Sequence, residues 1–132
     1  MGDKVNAAEK VSRVKRYFEL LTAARTGEIV ALFEKDAVVS SPFLGNVNAP
    51  EFFEKLGSAS QASVLTVFDV LLGEDQSSAA AYFEYDWTLR SGEQIVFQGI
   101  DYFRFSSNGL FSSMAIFYDT HPLREEVGDK YA

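Results

Sequence analysis

Four long runs in the second half of the chain carry the residue pattern of strands. They cover residues 63–72, 79–89, 94–105 and 110–119. Alternation of apolar and polar residues, with many β-branched and aromatic side chains, is typical of strands that bury one face. The connectors between the runs are short and contain Gly, Ser, Asn, Asp or Glu, as hairpin turns do. The pattern therefore predicts an antiparallel sheet.

The first half of the chain shows helical periodicity instead. Asn6 and Glu9 form a typical helix start, and Pro42 ends a short β-rich run. The predicted elements are helices at 6–25, 28–35 and 48–57 and a strand at 37–41. Helices followed by strands are typical of an α+β fold, here with three N-terminal helices packed on one face of a curved antiparallel sheet. Such curvature would leave a cone-shaped pocket between the helices and the sheet.

The composition fits one domain that spans residues 1–132. Hydrophobic residues make up 47% of the chain, and the twelve Phe, six Tyr and one Trp exceed what a minimal core of this length requires. This excess of rings predicts either a cavity lined by aromatic side chains or a large apolar interface.

Charge and the rarer residue types disfavour several classes of function. A net charge of −7 argues against binding to nucleic acid or to anionic membrane surfaces. Because the chain has no cysteine and His121 is its single histidine, no metal site is predicted, and no motif points to a cofactor. No apolar run is long enough for a membrane span and the N-terminus lacks a signal-peptide pattern, so a cytoplasmic protein is expected.

One carboxylate stands on an otherwise apolar strand face. Every second residue of the third run belongs to the series Ile95, Phe97, Gly99, Asp101, Phe103 and Phe105. Because an unpaired ionised carboxylate is costly to bury, Asp101 is expected to raise its pKa and stay protonated. A neutral carboxylic acid can donate a hydrogen bond to a bound carbonyl oxygen. The alternative is a structural Asp that bonds to backbone amides or to a neighbouring Arg.

Further acid–base candidates lie on or after the strands. Glu84 and Asp86 alternate with large rings, so they are expected on the opposite sheet face, towards solvent or an interface. An imidazole titrates near neutral pH, and His121 follows the last strand, where Asp119 would orient it. A surface position without a catalytic role is the alternative for His121.

Segments in both halves of the chain carry a family likeness. They are Arg16-Tyr17, residues 27–33, residues 36–39 and Pro42, followed by residues 100–105 and Ser113-Met114. Together they resemble bacterial ketosteroid isomerases, within the nuclear transport factor 2-like and SnoaL-like superfamily. The resemblance implies a cystatin-like cone, with Tyr17 and Asp101 as an oxyanion hole. Related SnoaL-like cyclases use an acid–base residue on a late strand, and by this analogy His121 is a third catalytic candidate.

The chain departs from the isomerase pattern at the general base. Those isomerases carry an Asp directly before the Pro that ends the first strand, and Ser41 occupies that position here. A Ser hydroxyl has no useful basicity near neutral pH, so it cannot move a proton between two carbons as a carboxylate does. Ordinary steroid isomerisation is therefore not expected, and Ser41 is predicted to line the pocket or to act structurally.

A set of apolar side chains from the helices and the last two strands would line a cavity for a flat hydrophobic ligand. Its members are Phe18, Phe33, Phe97, Phe103, Met114, Ile116 and Tyr118, together with Ser41. A filled core is the alternative, because apolar side chains look alike in sequence whether they touch each other or a ligand. The outer sheet face, with Tyr82, Ile100 and Tyr102, predicts a homodimer formed through the sheet.

These observations predict a pocket protein for a small, apolar carbonyl or phenolic compound, in which Tyr17 and Asp101 donate to the ligand oxygen. If the protein is an enzyme, an isomerase or lyase acting on such a compound is expected. The alternatives are a noncatalytic carrier of hydrophobic ligands, a SnoaL-like cyclase or dehydratase, and a protein-interaction module.

Overall fold

The computed structural model describes residues 5–120. The elements are α1 (Ala7–Thr22), α2 (Thr26–Val30), β1 (Phe33–Ser41), β2 (Gly45–Asn48), α3 (Ala49–Ala59), β3 (Ser60–Leu72), β4 (Ser78–Leu89), β5 (Gln94–Phe105) and β6 (Phe111–Tyr118). The strands form one six-stranded sheet in the order β2-β1-β6-β5-β4-β3. α1 packs against β3 and β4, and α3 packs against β1, β2 and β3. The predicted α+β fold, with helices packed on a curved sheet, is confirmed.

The four C-terminal strands form the antiparallel meander that their alternating patterns predict. The sheet as a whole is mixed, however, because β1 pairs with β6 in parallel. Short connectors impose antiparallel pairing only on strands that follow each other in sequence. Since β1 and β6 are far apart in the chain, their relative direction is free of that constraint. The expectation of a purely antiparallel sheet is wrong at this one pairing.

Two helix ends differ from the sequence prediction. α1 ends at Thr22 rather than near Arg25, because Ala24 adopts a left-handed conformation with φ 58° that a helix cannot continue through. α3 was expected to end at Gly57 but continues to Ala59. A glycine inside a helix costs only about 1 kcal/mol, so the packing of α3 on the sheet decides where this helix ends.

The segment between α2 and α3 contains more strand than predicted. α2 ends at Val30, whereas periodicity predicted a helix over residues 28–35. Phe33 already belongs to β1, because it lies beside Phe111 of β6 in the parallel ladder. β2 was not predicted, and Gly45, with φ 68°, leads the chain from the turn into it. β1 pairs with β6 from the far end of the chain, and β2 pairs with β1 across a short turn. Local periodicity does not reveal either pairing.

The core forms where α1 lies on the sheet. Its helical contribution consists of Val14, Tyr17, Phe18, Leu20 and Leu21. These side chains meet rings from the strands and form one buried hydrophobic cluster with them. Among residues 5–120, no helix is long and apolar enough to cross a membrane.

Candidate functional site

Asp101 is buried in the middle of β5. Along this strand, Phe97, Gly99, Asp101 and Phe103 are buried while the residues between them are more exposed, so the predicted alternation is present. Asp101 is 3% exposed, and its Oδ1 has no hydrogen-bond partner among the described residues. Most buried polar atoms in proteins are paired, and an unpaired one costs about 1–3 kcal/mol. An unpaired carboxyl oxygen at this depth is unusual for a purely structural residue.

A cavity of about 530 Å³ lies between the helices and this sheet face, and Asp101 is part of its lining. Pockets for small organic molecules have volumes of roughly 300–1,000 Å³. The inner part of the lining is buried and mostly aromatic, while the outer part includes the exposed Phe43 and Leu44 of the β1–β2 turn. The cavity therefore has a buried apolar interior and opens towards solvent beside this turn.

Gly99 leaves room for two rings of this lining. It lies between Phe83 on β4 and Tyr118 on β6, and both rings reach the cavity. A Cβ atom at Gly99 would come within 2.7 Å of the Phe117 carbonyl oxygen and 2.9 Å of Tyr118 Cβ. Such contacts are too close for any side chain, so glycine is required where the three strands approach each other.

Tyr17 reaches the same cavity from α1, and its ring is fixed by its neighbours. It is 2% exposed and makes edge-to-face contacts with Phe18, Phe53 and Phe103, at centroid distances of 4.9, 5.8 and 5.5 Å. A ring held on several sides places its hydroxyl in one position. The structure thus brings Tyr17 and Asp101, predicted from distant parts of the sequence, to one cavity.

Burial favours the protonated form of both groups. Burial raises the pKa of Asp101 well above its ordinary value. Burial also raises the pKa of Tyr17, and Asp101 and Tyr85, when ionised, would raise it further. In the neutral form each group carries one O–H that can donate a hydrogen bond. The cavity therefore holds two potential donors that are shielded from water.

The sequence model of the SnoaL-like domain matches residues 14–114, which is most of the chain. The chain belongs to the SnoaL-like family. Its superfamily is the nuclear transport factor 2-like one, as the resemblance implied. The finer likeness to ketosteroid isomerases remains a prediction. No curated protein matches the sequence.

Solved structures share the fold of this SnoaL-like domain at low sequence identity. One is the epoxide hydrolase/cyclase-like enzyme SalBIII, described with a role in pyran ring formation in the polyether salinomycin, with a TM-score of 0.79, 17% identity, and coverage of 89% of this chain and 95% of SalBIII. A protein with a cystatin-like fold from Methylobium petroleophilum PM1 has a TM-score of 0.75 and 17% identity, with coverage of 87% of this chain and 78% of that protein. An NTF2-like protein from Exiguobacterium sp. 255-15 has a TM-score of 0.70 and 17% identity, with coverage of 81% of this chain and 98% of that protein. These similarities establish the fold.

Ser41 contributes to the lining of the cavity and also has a structural partner. Its Oγ accepts a hydrogen bond from the Leu44 amide at 3.2 Å, within the β1–β2 turn of the SnoaL-like domain. The side chain thus stabilises the turn that borders the cavity opening. Its hydroxyl is not a base near neutral pH.

Tyr85 is a cavity residue that the sequence prediction missed. It lies on β4, and its hydroxyl shares a hydrogen bond of 2.7 Å with Ser63 Oγ on β3. Burial raises the pKa of Tyr85 to about 12. The alternation of Phe83, Tyr85 and Trp87 placed these rings on one strand face, and this pattern was the available signal. It did not reveal whether that face borders a cavity or the core.

Part of the predicted lining set is in the core instead. Phe18, Phe97, Ile116 and Tyr118 line the cavity. Three other members do not border it, namely Phe33, Phe103 and Met114, which are 5%, 0% and 1% exposed. Phe33 contacts the rings of Tyr17 and Phe53, and Phe103 contacts those of Tyr17 and Phe111. Met114 belongs to the same buried cluster. Their assignment as cavity-lining residues is corrected.

The remaining candidates do not add to the cavity lining. His121 lies outside the described residues. Glu84 and Asp86 are not in the cavity lining, and Asp86 Oδ1 accepts a hydrogen bond from Gln94 Nε2 at 2.7 Å. Within residues 5–120, no three His, Cys, Asp or Glu side chains are grouped closely enough to hold a metal ion.

Proposed function

We propose that the cavity binds a small, largely apolar compound through a carbonyl or phenolic oxygen, to which Tyr17 and Asp101 donate hydrogen bonds. The observation that carries the proposal is Asp101 Oδ1, which is buried beside the cavity and has no hydrogen-bond partner within residues 5–120. A ligand oxygen placed between the two donors would accept from both. Because the site is shielded from water, these bonds would strengthen as negative charge develops on that oxygen.

The proposed chemistry follows from which groups line the cavity. Among its described lining residues, Asp101 is the one carboxyl group, and burial favours its protonated form, which donates a hydrogen bond. Ser41 supplies no basicity. A reaction that needs only electrophilic help, such as a dehydration or a cyclisation, fits this set. The shared fold with SalBIII, described as epoxide hydrolase/cyclase-like, is consistent with a cyclisation.

A noncatalytic carrier is the second candidate function. It is favoured by the same lack of a base in the described lining, together with the apolar surroundings of the two donors. In a carrier, Tyr17 and Asp101 would set affinity and orientation without turnover. An isomerase would require a base that the described lining does not contain.

Tyr17→Phe is expected to weaken the binding of a phenolic steroid by about tenfold or more. A hydrogen bond that carries charge contributes roughly 1.5–3 kcal/mol, and this substitution removes one donor while keeping the buried ring and its contacts. Fluorescence or calorimetric titration of both proteins measures the change.

Tyr118→Phe is the matched control, because Tyr118 also lines the cavity but is only partly buried. It is expected to change affinity by no more than about twofold. Equal affinity of wild type and Tyr17→Phe would show that the Tyr17 hydroxyl does not donate to the ligand. Absence of saturable binding to any of the three proteins would favour the interaction-module alternative.

The outer sheet face is proposed as the interface of a homodimer. Exposed rings and an aliphatic side chain form a row across four strands, in which Tyr82 lies opposite Ile100 and Ile100 opposite Phe117. Phe68 extends the row on β3, with its ring 5.0 Å from that of Tyr82. A continuous exposed apolar row of this kind is typical of interfaces. In a two-fold symmetric dimer, the row of each subunit would be buried against the row of the other.

Ile100→Asp, in the middle of that row, is expected to convert a dimer into a monomer, because a two-fold axis would bring two new carboxylates close together. Sedimentation equilibrium measures the mass. Ser107→Asp adds the same charge in the exposed β5–β6 turn and should leave the dimer intact. A monomeric wild-type protein at high concentration would contradict the proposed interface.

A further inference from the structure

The polar groups of the cavity differ between its interior and its opening. Asp101 and Tyr17 lie at the buried end. At the open end, Phe43 and Leu44 are 56% and 46% exposed, and the Lys55 side chain is 53% exposed. Lys55 is the one basic residue among the described lining residues. The cavity thus has neutral donors inside and a cation at its opening.

Lys55 is held at the opening by α3. Phe52, Leu56 and Ala59 of this helix also line the cavity, so Lys55 lies along the same side of the helix. A lysine in this position covers apolar surface with its methylene chain and keeps its ammonium group in water. Its Nζ is 3.4 Å from Glu51 Oε2, one turn earlier. The pair is exposed, and both partners can move.

A second cation lies next to the C-terminal end of α3. Arg90 follows the lining residue Leu89, and its Nε donates to the Ser58 carbonyl at 3.0 Å. Its backbone N–H donates to the carbonyl of Ala59, which also lines the cavity. Two basic side chains therefore stand on or beside this part of the opening, in a chain whose net charge is −7.

We infer that the ligand is an amphipathic acid, with an apolar body inside the cavity and a carboxylate at the opening that faces Lys55. The inference rests on the proposed function, which places an oxygen of the same ligand at Tyr17 and Asp101. A carboxylate at the opening stays partly hydrated and meets a positive charge. The reverse orientation would bury an anion in an apolar interior, which is strongly unfavourable.

The test uses two probes that share a hydroxynaphthalene body, the anion 6-hydroxy-2-naphthoate and its uncharged methyl ester. Both carry a phenol for the inner donors and report binding by fluorescence. The readout is the acid-to-ester ratio of affinities, because this ratio cancels changes that affect both probes. From wild type to Lys55→Met, the ratio is expected to fall by about two- to fivefold at low salt. The difference should shrink at high salt.

Two further variants sharpen the result. Glu51→Gln removes the competing carboxylate beside Lys55 and is expected to raise the acid-to-ester ratio above that of wild type. Lys35→Met removes one positive charge from an exposed position on β1 that does not line the cavity, and should leave the ratio unchanged. Opposite responses at Lys55 and Glu51 would show that local charge at the opening, rather than net charge, selects the acid.

The outcomes separate this inference from the proposed function. If both probes bind and Tyr17→Phe weakens both, but the ratio is the same in wild type and Lys55→Met, the amphipathic-acid inference is overturned and the proposed function stands. If Tyr17→Phe changes the affinity of neither probe, or neither probe binds, the proposed function fails and the inference fails with it.

Discussion

Replacing Ser41 with Asp is expected to give the protein measurable steroid isomerase activity. Ser41 lines the cavity that holds Tyr17 and Asp101, and the resemblance to ketosteroid isomerases predicts a base at its position. The introduced carboxylate would take a proton from the carbon between the carbonyl and the double bond of a β,γ-unsaturated 3-ketosteroid. It would return the proton two carbons further along as the double bond moves. General acid–base catalysis contributes roughly 10²–10⁴-fold, and the conjugated product is followed by ultraviolet absorbance.

The substitution should preserve the local structure. The Leu44 amide now donates to Ser41 Oγ, and a carboxylate can accept the same hydrogen bond. Ser41→Asn is the matched control, because it is similar in shape to the aspartate but cannot accept a substrate proton. Combining Ser41→Asp with Tyr17→Phe should reduce the gained activity. No activity in Ser41→Asp despite retained phenolic-steroid binding would contradict the proposed geometry of the cavity.

The second large effect is expected in the pH dependence of stability. Burial raises the pKa of Asp101 well above its ordinary value. In the unfolded chain this carboxyl loses its proton above about pH 4, whereas in the native protein it keeps it. The native state then binds more protons than the unfolded state, so the free energy of unfolding falls as pH rises. The slope is about 1.4 kcal/mol per pH unit until the native pKa is reached.

Asp101→Asn removes this contribution, because an amide does not titrate. The free energy of unfolding of the variant, relative to wild type, should therefore increase from about pH 5 upwards until the pH passes the native pKa of Asp101. Urea unfolding at several pH values measures it. A constant difference across this range would mean that Asp101 is ionised in the native protein.

Asp75→Asn provides a control with the opposite sign. Hydrogen bonds from Ser77 lower the pKa of Asp75, which lies in the exposed β3–β4 turn. A lowered pKa stabilises the native state above the unfolded pKa, and this stabilisation is lost only as the pH falls through the native pKa. The contribution of Asp75 to the free energy of unfolding is therefore already complete at about pH 5. The difference between wild type and Asp75→Asn should show no slope between about pH 5 and pH 8.

Local patterns in the sequence were sufficient for much of the fold. Period-two alternation located β5 at its observed bounds and placed Asp101 on the buried face. Helix-start residues were equally informative, since Asn6 Oδ1 accepts from the Glu9 amide at 2.9 Å and Asn48 Oδ1 from that of Glu51 at 3.0 Å. Such features depend on interactions within a few residues, which a single sequence contains.

The resemblance to a family supplied what alternation did not. It linked Tyr17 on the first helix with Asp101 some 84 positions later, and the structure brings both to one cavity. It did not distinguish the residues that border the cavity from those beneath them. Phe97 and Phe103 lie on the same strand face, yet one lines the cavity and the other is in the core.

By itself, the sequence determined the α+β class, the positions of the long strands and the burial of one acid among apolar neighbours, because each follows from short-range periodicity. The tertiary structure decided that β1 runs parallel to β6, that Tyr85 and Lys55 border the cavity, and that Phe33 does not. An apolar side chain carries the same chemical signal whether a ring or an empty volume lies above it. Only the distances between elements far apart in the chain separate these two cases.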